Sequence, residues 1–166
     1  GDLDAAIKSF KKALILDPNC AEIHNNMGNA LNEKGDYEAA IDCFEKAIKI
    51  KPDYAEIHNN KGNVQRKFGD IHAATESYKK AIKFKPDYAD AYYNLGNILK
   101  DQGTLDEAIE AYKKALTIMP YFTDAHNNMG VALTNQGEAE KAIEVYNTLL
   151  AITPDYAVAY NNMGLA

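Results

Sequence analysis

Asparagine stands at residues 26, 60, 94, 128 and 162, and again at 29, 63 and 97, so a neutral carboxamide returns at a fixed interval. A carboxamide has two N–H donors and a carbonyl acceptor on a short stem, and can pair both ways with the N–H and C=O of a peptide unit. Asn26, Asn29, Asn60, Asn63, Asn94, Asn97, Asn128 and Asn162 are therefore candidates for pairing with the repeating amides of an extended polypeptide. Asparagine is a mediocre helix former, so hydration alone would favour Glu, Lys or Gln in a helix. The plain alternative is a residue copied by duplication that only caps or hydrates the surface. Arg66, Lys67 and Lys100 add a basic patch, and Glu22, Glu56, Asp90 and Asp124 an acidic rim. Together they suit a peptide of mixed charge, unless these surface charges are incidental.

Other reactive side chains carry less. His24, His58 and His126 share a register with Tyr92 and Tyr160, so a packing role for an amphipathic ring explains all of them. Packed helix pairs are ~10 Å apart, too far for two such histidines to share one zinc through bonds of ~2 Å. The sequence has no nucleophile elbow, phosphate loop or dinucleotide glycine pattern. No catalytic residue, metal or cofactor is expected. Cys20 and Cys43 are too few and too irregular for a disulfide framework, and read as free thiols of a reducing, cytoplasmic compartment.

The elements that must position the asparagines follow from the punctuation. Glycine recurs at 1, 35, 69, 103 and 137 and proline at 18, 52, 86, 120 and 154, both in steps of 34 residues. Such a period marks stacked supersecondary units. In the unit from Ala21 to Tyr54, His24, Met27, Gly28 and Leu31 form one helical stripe. Gly35 stops that helix, Asp36 caps the next, Ala40, Phe44 and Ala47 line its inner face, and Pro52 ends it. Asp53 is placed to cap the helix that follows. Gly28, Gly62, Gly96, Gly130 and Gly164 interrupt first helices, which implies close approach of another backbone, with Ala40, Ala74, Ala108 and Ala142 facing them. Phe44, Tyr78, Tyr112 and Tyr146 would then fill space toward the next unit. Glu22, Asn25, Asn26, Asn29 and Asn32 lie nearly opposite the stripe and look outward from the core.

The class is all-α: a second helix (1–20), full repeats at 21–54, 55–88, 89–122 and 123–156, and a first helix (157–166). The chain opens and closes in mid-repeat, as an excerpt of a longer array would. Its two terminal half-repeats are complementary, so head-to-tail self-association is a further expectation. The chain has 166 residues, of which 46% are hydrophobic and 25% charged, with a net charge of −6. These are globular values, and the acidic balance argues against nucleic acid or an anionic membrane as partner. Lys61 and Gln65 replace apolar residues of the stripe, which makes 55–88 the weakest unit by pattern unless Lys61 snorkels.

His24-Met27-Gly28-Leu31, Ala40, Phe44, Ala47 and Pro52, with their counterparts from Tyr92 to Pro120 and from His126 to Pro154, resemble the tetratricopeptide repeat (TPR). The resemblance covers the whole chain. It implies a right-handed superhelical solenoid of antiparallel helix pairs, with first helices lining a concave groove. It also implies a protein–protein interaction scaffold. In similar arrays, including the arms of O-linked glycosyltransferases, groove asparagines hold extended polypeptide. The lysine and arginine clamp for carboxylate tails in one subclass is missing, since Asn25, Asn59, Glu56, Asp90 and Asn94 occupy its places. The competing readings are a substrate-recruiting arm of a larger glycosyltransferase- or sulfotransferase-like enzyme, and a self-assembling array.

Overall fold

The computed structural model describes residues 2–166. Ten helices and no strand occur among them: α1 (Asp2–Leu16), α2 (Ala21–Lys34), α3 (Tyr37–Ile50), α4 (Ala55–Phe68), α5 (Ile71–Phe84), α6 (Ala89–Asp101), α7 (Leu105–Ile118), α8 (Thr123–Gln136), α9 (Ala139–Ile152) and α10 (Ala157–Met163). They fall into two compact units, Gly1–Pro86 with α1 to α5 and Asp87–Ala166 with α6 to α10. In the first unit each helix packs on the next, and the first helices α2 and α4 also touch directly. In the second, α6 to α10 pack in the same succession, with α8 touching both α6 and α10.

The turn inside each helix pair is set by its glycine. Gly35 has φ 87°, a left-handed conformation that a side chain would strain. It lets the Asp36 amide donate to Leu31 O at 2.9 Å and the Gly35 amide to Asn32 O at 3.0 Å, satisfying two terminal carbonyls. Asp36 and Asp70 then cap α3 and α5, their Oδ1 atoms accepting from Ala39 N at 3.3 Å and Ala73 N at 2.9 Å. The first helices start differently. Tyr54, and not Asp53, is the residue that precedes α4, and no side chain caps it.

Each repeat's core centres on one ring. Phe44, Tyr78, Tyr112 and Tyr146 are all fully buried, and burial of each is worth about 1.5–3 kcal/mol. Gly28, Gly62, Gly96 and Gly130 face these rings and not a backbone, which corrects the reading from sequence, while Gly164 meets no ring. A Cβ on Gly28 would lie 2.8 Å from Phe44 Cε1, and one on Gly96 2.7 Å from Tyr112 Cε1. The ring thus fills space within its own repeat, in the gap a side chain would otherwise occupy.

Two polar pairs stand where the stripe of α4 lacks apolar residues. Lys61 lays its stem on the protein and reaches Glu45 Oε1 at 2.8 Å, and this bond holds the Glu45 carboxyl below its usual range. Buried Ser77 donates to buried Gln65 at 2.6 Å. Gln65→Leu should cost about 1 kcal/mol, because the Ser77 hydroxyl loses its buried acceptor. Adding Ser77→Ala should recover most of that loss. Urea melts of the two single variants and the double one check this, and strictly additive costs would refute the coupling.

His24, His58 and His126 pack and carry one hydrogen bond each. His58 Nε2 donates to Pro52 O at 2.7 Å while its ring stacks on Phe84, and His126 Nδ1 donates to Phe122 O at 3.2 Å. Desolvation holds both imidazoles below their ordinary pKa, against the pull of those carbonyls. The folded state therefore binds protons less readily than the unfolded chain. Their stabilising contribution is complete above about pH 6.5 and is lost as pH falls below it. The melting temperature should drop between pH 7 and pH 5.5, and His58→Gln should flatten that slope. A slope identical in the variant would assign the effect elsewhere.

Candidate peptide-binding face

The asparagine series lies along the first helices, as helical geometry requires, but much of it is engaged between neighbouring helices. In the first unit Asn60 Nδ2 donates to Asn25 Oδ1 at 3.1 Å, and Lys67 Nζ donates to Asn32 Oδ1 at 3.1 Å. Asn25 and Asn59, read from sequence as outward-looking, are buried. Asn26 is exposed and Asn29 half-buried. Asn63 accepts from Tyr78 O–H at 2.9 Å, and burial pushes that phenol up to about 12.

The same seam recurs in the second unit. Asn162 Nδ2 donates to Asn127 Oδ1 at 3.0 Å. Asn128 Nδ2 donates to Asn97 Oδ1 at 2.8 Å and to Tyr93 Oη at 3.3 Å. Asn97 is buried and accepts a second bond from Tyr112 O–H at 2.8 Å. Asn94 is half-buried, and Lys100 pairs with the adjacent Asp101 at 3.1 Å.

Three of the residues singled out from sequence converge. Asn63, Arg66 and Lys67 line a concavity of about 410 Å³ together with Asn32 and Tyr78. Tyr78 donates to the carbonyl of Asn63, and the Lys67 ammonium donates to the neutral amide oxygen of Asn32. This hollow combines two cations with carboxamides, a setting for peptide carbonyls and an acidic side chain. Lys100 belongs to the other unit.

Sequence reasoning overlooked Tyr93, which takes the place of Asn25 and Asn127 in the seam and packs on Phe122 with ring centroids 4.8 Å apart. It also overlooked the tyrosine–asparagine bonds. The signal was available: donor and acceptor stand 35 residues apart in Asn60–Asn25 and in Asn162–Asn127, one more than the repeat.

A helix pair repeated every 34 residues, closed by a left-handed glycine and centred on a buried ring against a helical glycine, defines a tetratricopeptide array. The chain belongs to the TPR repeat family, whose model matches residues 1–35, 28–69, 62–103, 96–137 and 132–166. Proteins built on this repeat are protein–protein interaction scaffolds. Among solved structures the chain is similar to MamA, with 32% identity and a TM-score of 0.86 over 95% of this chain and 92% of that one. A MamA fragment from Desulfovibrio magneticus RS-1 gives 26% identity and a TM-score of 0.83, covering 94% and 88%. YrrB, described as a TPR protein with an unusual peptide-binding site, gives 28% identity and a TM-score of 0.79, covering 96% and 82%. No curated protein matches. Among the described residues no helix is long and apolar enough to cross a membrane, and no cluster of three or more His, Cys, Asp or Glu is placed to hold a metal.

Proposed function

We propose that this protein is a non-catalytic scaffold whose first-helix face binds a polypeptide in extended conformation. The observation that carries this reading is the hollow where Asn63, Arg66 and Lys67 meet on a face otherwise rich in carboxamides. Asn26, Asn29 and Asn60 carry the same chemistry in the first unit, and Asn94, Asn128 and Asn162 carry it in the second. Each seam amide keeps capacity after its internal bond: Asn60 spends one N–H and retains its carbonyl and a second N–H. An extended peptide presents alternating N–H and C=O groups, which such amides can pair with both ways. The similarity to YrrB, a peptide-binding TPR protein by its description, favours the same use of the fold here.

An array of immobilised peptides of mixed charge, probed with the wild-type chain and with Asn60→Ala/Asn94→Ala, tests the proposal. Each lost carboxamide should cost about 1–2 kcal/mol of binding where water is excluded, so captured peptides should bind at least tenfold more weakly. Because Asn60→Ala also opens the seam, Asn25→Ala serves as control: it breaks the same bond from the buried side. Equal binding by wild type and double variant, or equal loss in Asn25→Ala, would defeat the ladder.

A further inference from the structure

The Lys61–Glu45 pair of the first unit has no counterpart two repeats on, although the helices around it do. Met129 on α8 stands in the place of Lys61 on α4, and Lys113 on α7 in that of Glu45 on α3. The neighbouring positions change with them. Leu133 replaces Gln65 and Val145 replaces Ser77, so the polar pair of α4 and α5 gives way to two apolar side chains on α8 and α9. In the first unit the Lys61 side chain spans the two positions, only 17% exposed, and its ammonium meets Glu45 at 2.8 Å. In the second unit the place is an open groove of about 400 Å³ between α7, α8 and α9, floored by Ile109, Met129, Leu133 and Val145.

The rim is charged, and its charges do not cancel. Asp106, Glu110, Glu138 and Glu144 contribute four carboxylates against the two ammoniums of Lys113 and Lys141. Glu110 holds Lys113 at 2.7 Å and Glu138 holds Lys141 at 3.1 Å. Asp106 accepts from the neutral amide of Gln136, and neither it nor Glu144 forms an ion pair among the described residues. Both are exposed, so a guest can reach them. We infer that this groove takes the side chain of a lysine presented by a partner polypeptide, which does for the second unit what Lys61 does for the first. Its methylenes lie along the apolar floor, as a snorkelling lysine stem does, and its ammonium goes to Glu144 and Asp106 at the rim. A carboxylate guest would be repelled by the excess negative charge, and an apolar one would crowd those two carboxylates with no cation to meet them. The surface includes the second helices α7 and α9 and does not rest on the asparagine-rich face.

The test uses the full chain with ¹³C-labelled methyl groups and blocked pentapeptides of alanine whose central residue is lysine, Nε-acetyl-lysine, leucine or glutamate. The lysine peptide should give saturable shifts at Ile109, Met129, Leu133 and Val145. The acetylated peptide keeps the stem and loses the charge, so it should bind about fivefold more weakly, the worth of one or two exposed ion pairs. Glu144→Gln should weaken the lysine peptide about twofold, and added salt should act in the same direction. Met129→Lys/Lys113→Glu rebuilds the Lys61–Glu45 pair inside the groove and should abolish the shifts without unfolding the chain. Asn60→Ala/Asn94→Ala should leave them unchanged, which separates this surface from the asparagine face. The inference is overturned by an absence of saturable methyl shifts, by equal or tighter binding of the acetyl-lysine, leucine or glutamate peptide, or by shifts that survive in the self-filled variant. Failure of the peptide array with the lysine response intact removes the asparagine reading and supports this one.

Discussion

Tyr112→Ala should lower the stability of the chain by about 3–5 kcal/mol, the range for removing a whole buried aromatic side chain. The ring is fully buried, lies against Gly96, and stands 6.1 Å by centroid from Tyr93. Gly96 has no side chain to relax into the void, so little of the cavity can collapse. The substitution also removes one of the two donors to the buried Asn97 carbonyl. Tyr112→Phe keeps the ring and gives up the hydroxyl's bond to Asn97, so it should cost about 1 kcal/mol. Stacked repeats share stability mainly with their neighbours, so hydrogen exchange should accelerate first in α6 and α7. Urea melts of both variants check the ratio. A loss below about 1 kcal/mol for alanine would show that the ring is not the centre of its repeat.

Gly130→Ala should destabilise by about 2 kcal/mol, the reverse of what helix propensity alone dictates. Alanine in mid-helix gains about 1 kcal/mol over glycine. A Cβ on Gly130, however, would sit 2.5 Å from both Cε1 and Cζ of the fully buried Tyr146 ring. Overpacking a filled core costs about 1–3 kcal/mol or more, and this is the tightest of the glycine–ring contacts. Tyr146→Leu in the same chain should recover part of the loss, because the shorter side chain vacates the space the methyl needs. Thermal melts of the single and double variants decide it. A single variant more stable than wild type would mean that the ring swings aside at little cost.

The helix pairs were legible in the sequence because their determinants are local. Gly35 adopts a left-handed backbone, Asp36 caps a free amide, and Pro52 cannot continue the helix that ends just before it. The face of the asparagines was legible only in part. A helical wheel separates Asn25 and Asn26 from His24 and Met27, but it cannot tell open surface from the narrow sector that meets the next first helix. That distinction depends on how closely α2 and α4 approach, a tertiary quantity. For the same reason Asn25 and Asn59 were read as outward when they are buried. The glycine–ring contact was missed because the spacing of Gly28 and Phe44 shows that both are conserved in register within the chain, not that they touch. Tyr146 was equally hidden: Val131 interrupts the series begun by Asn63 and Asn97, so its hydroxyl has no asparagine to meet.

The paired asparagines of the seam behave as the two ends of a difunctional monomer. In Asn127-Asn128 the first carboxamide accepts from Asn162 of the following helix, and the second donates back to Asn97 and Tyr93 of the preceding one. Head and tail are adjacent in sequence and joined by a rigid backbone. A gene segment copied in whole multiples of the period therefore brings both reactive ends with it. Each new junction is complete at the moment of duplication, without waiting for a matching mutation in its neighbour. A chain wired in this way can lengthen or shorten by recombination and stay cross-linked along its first helices at every length.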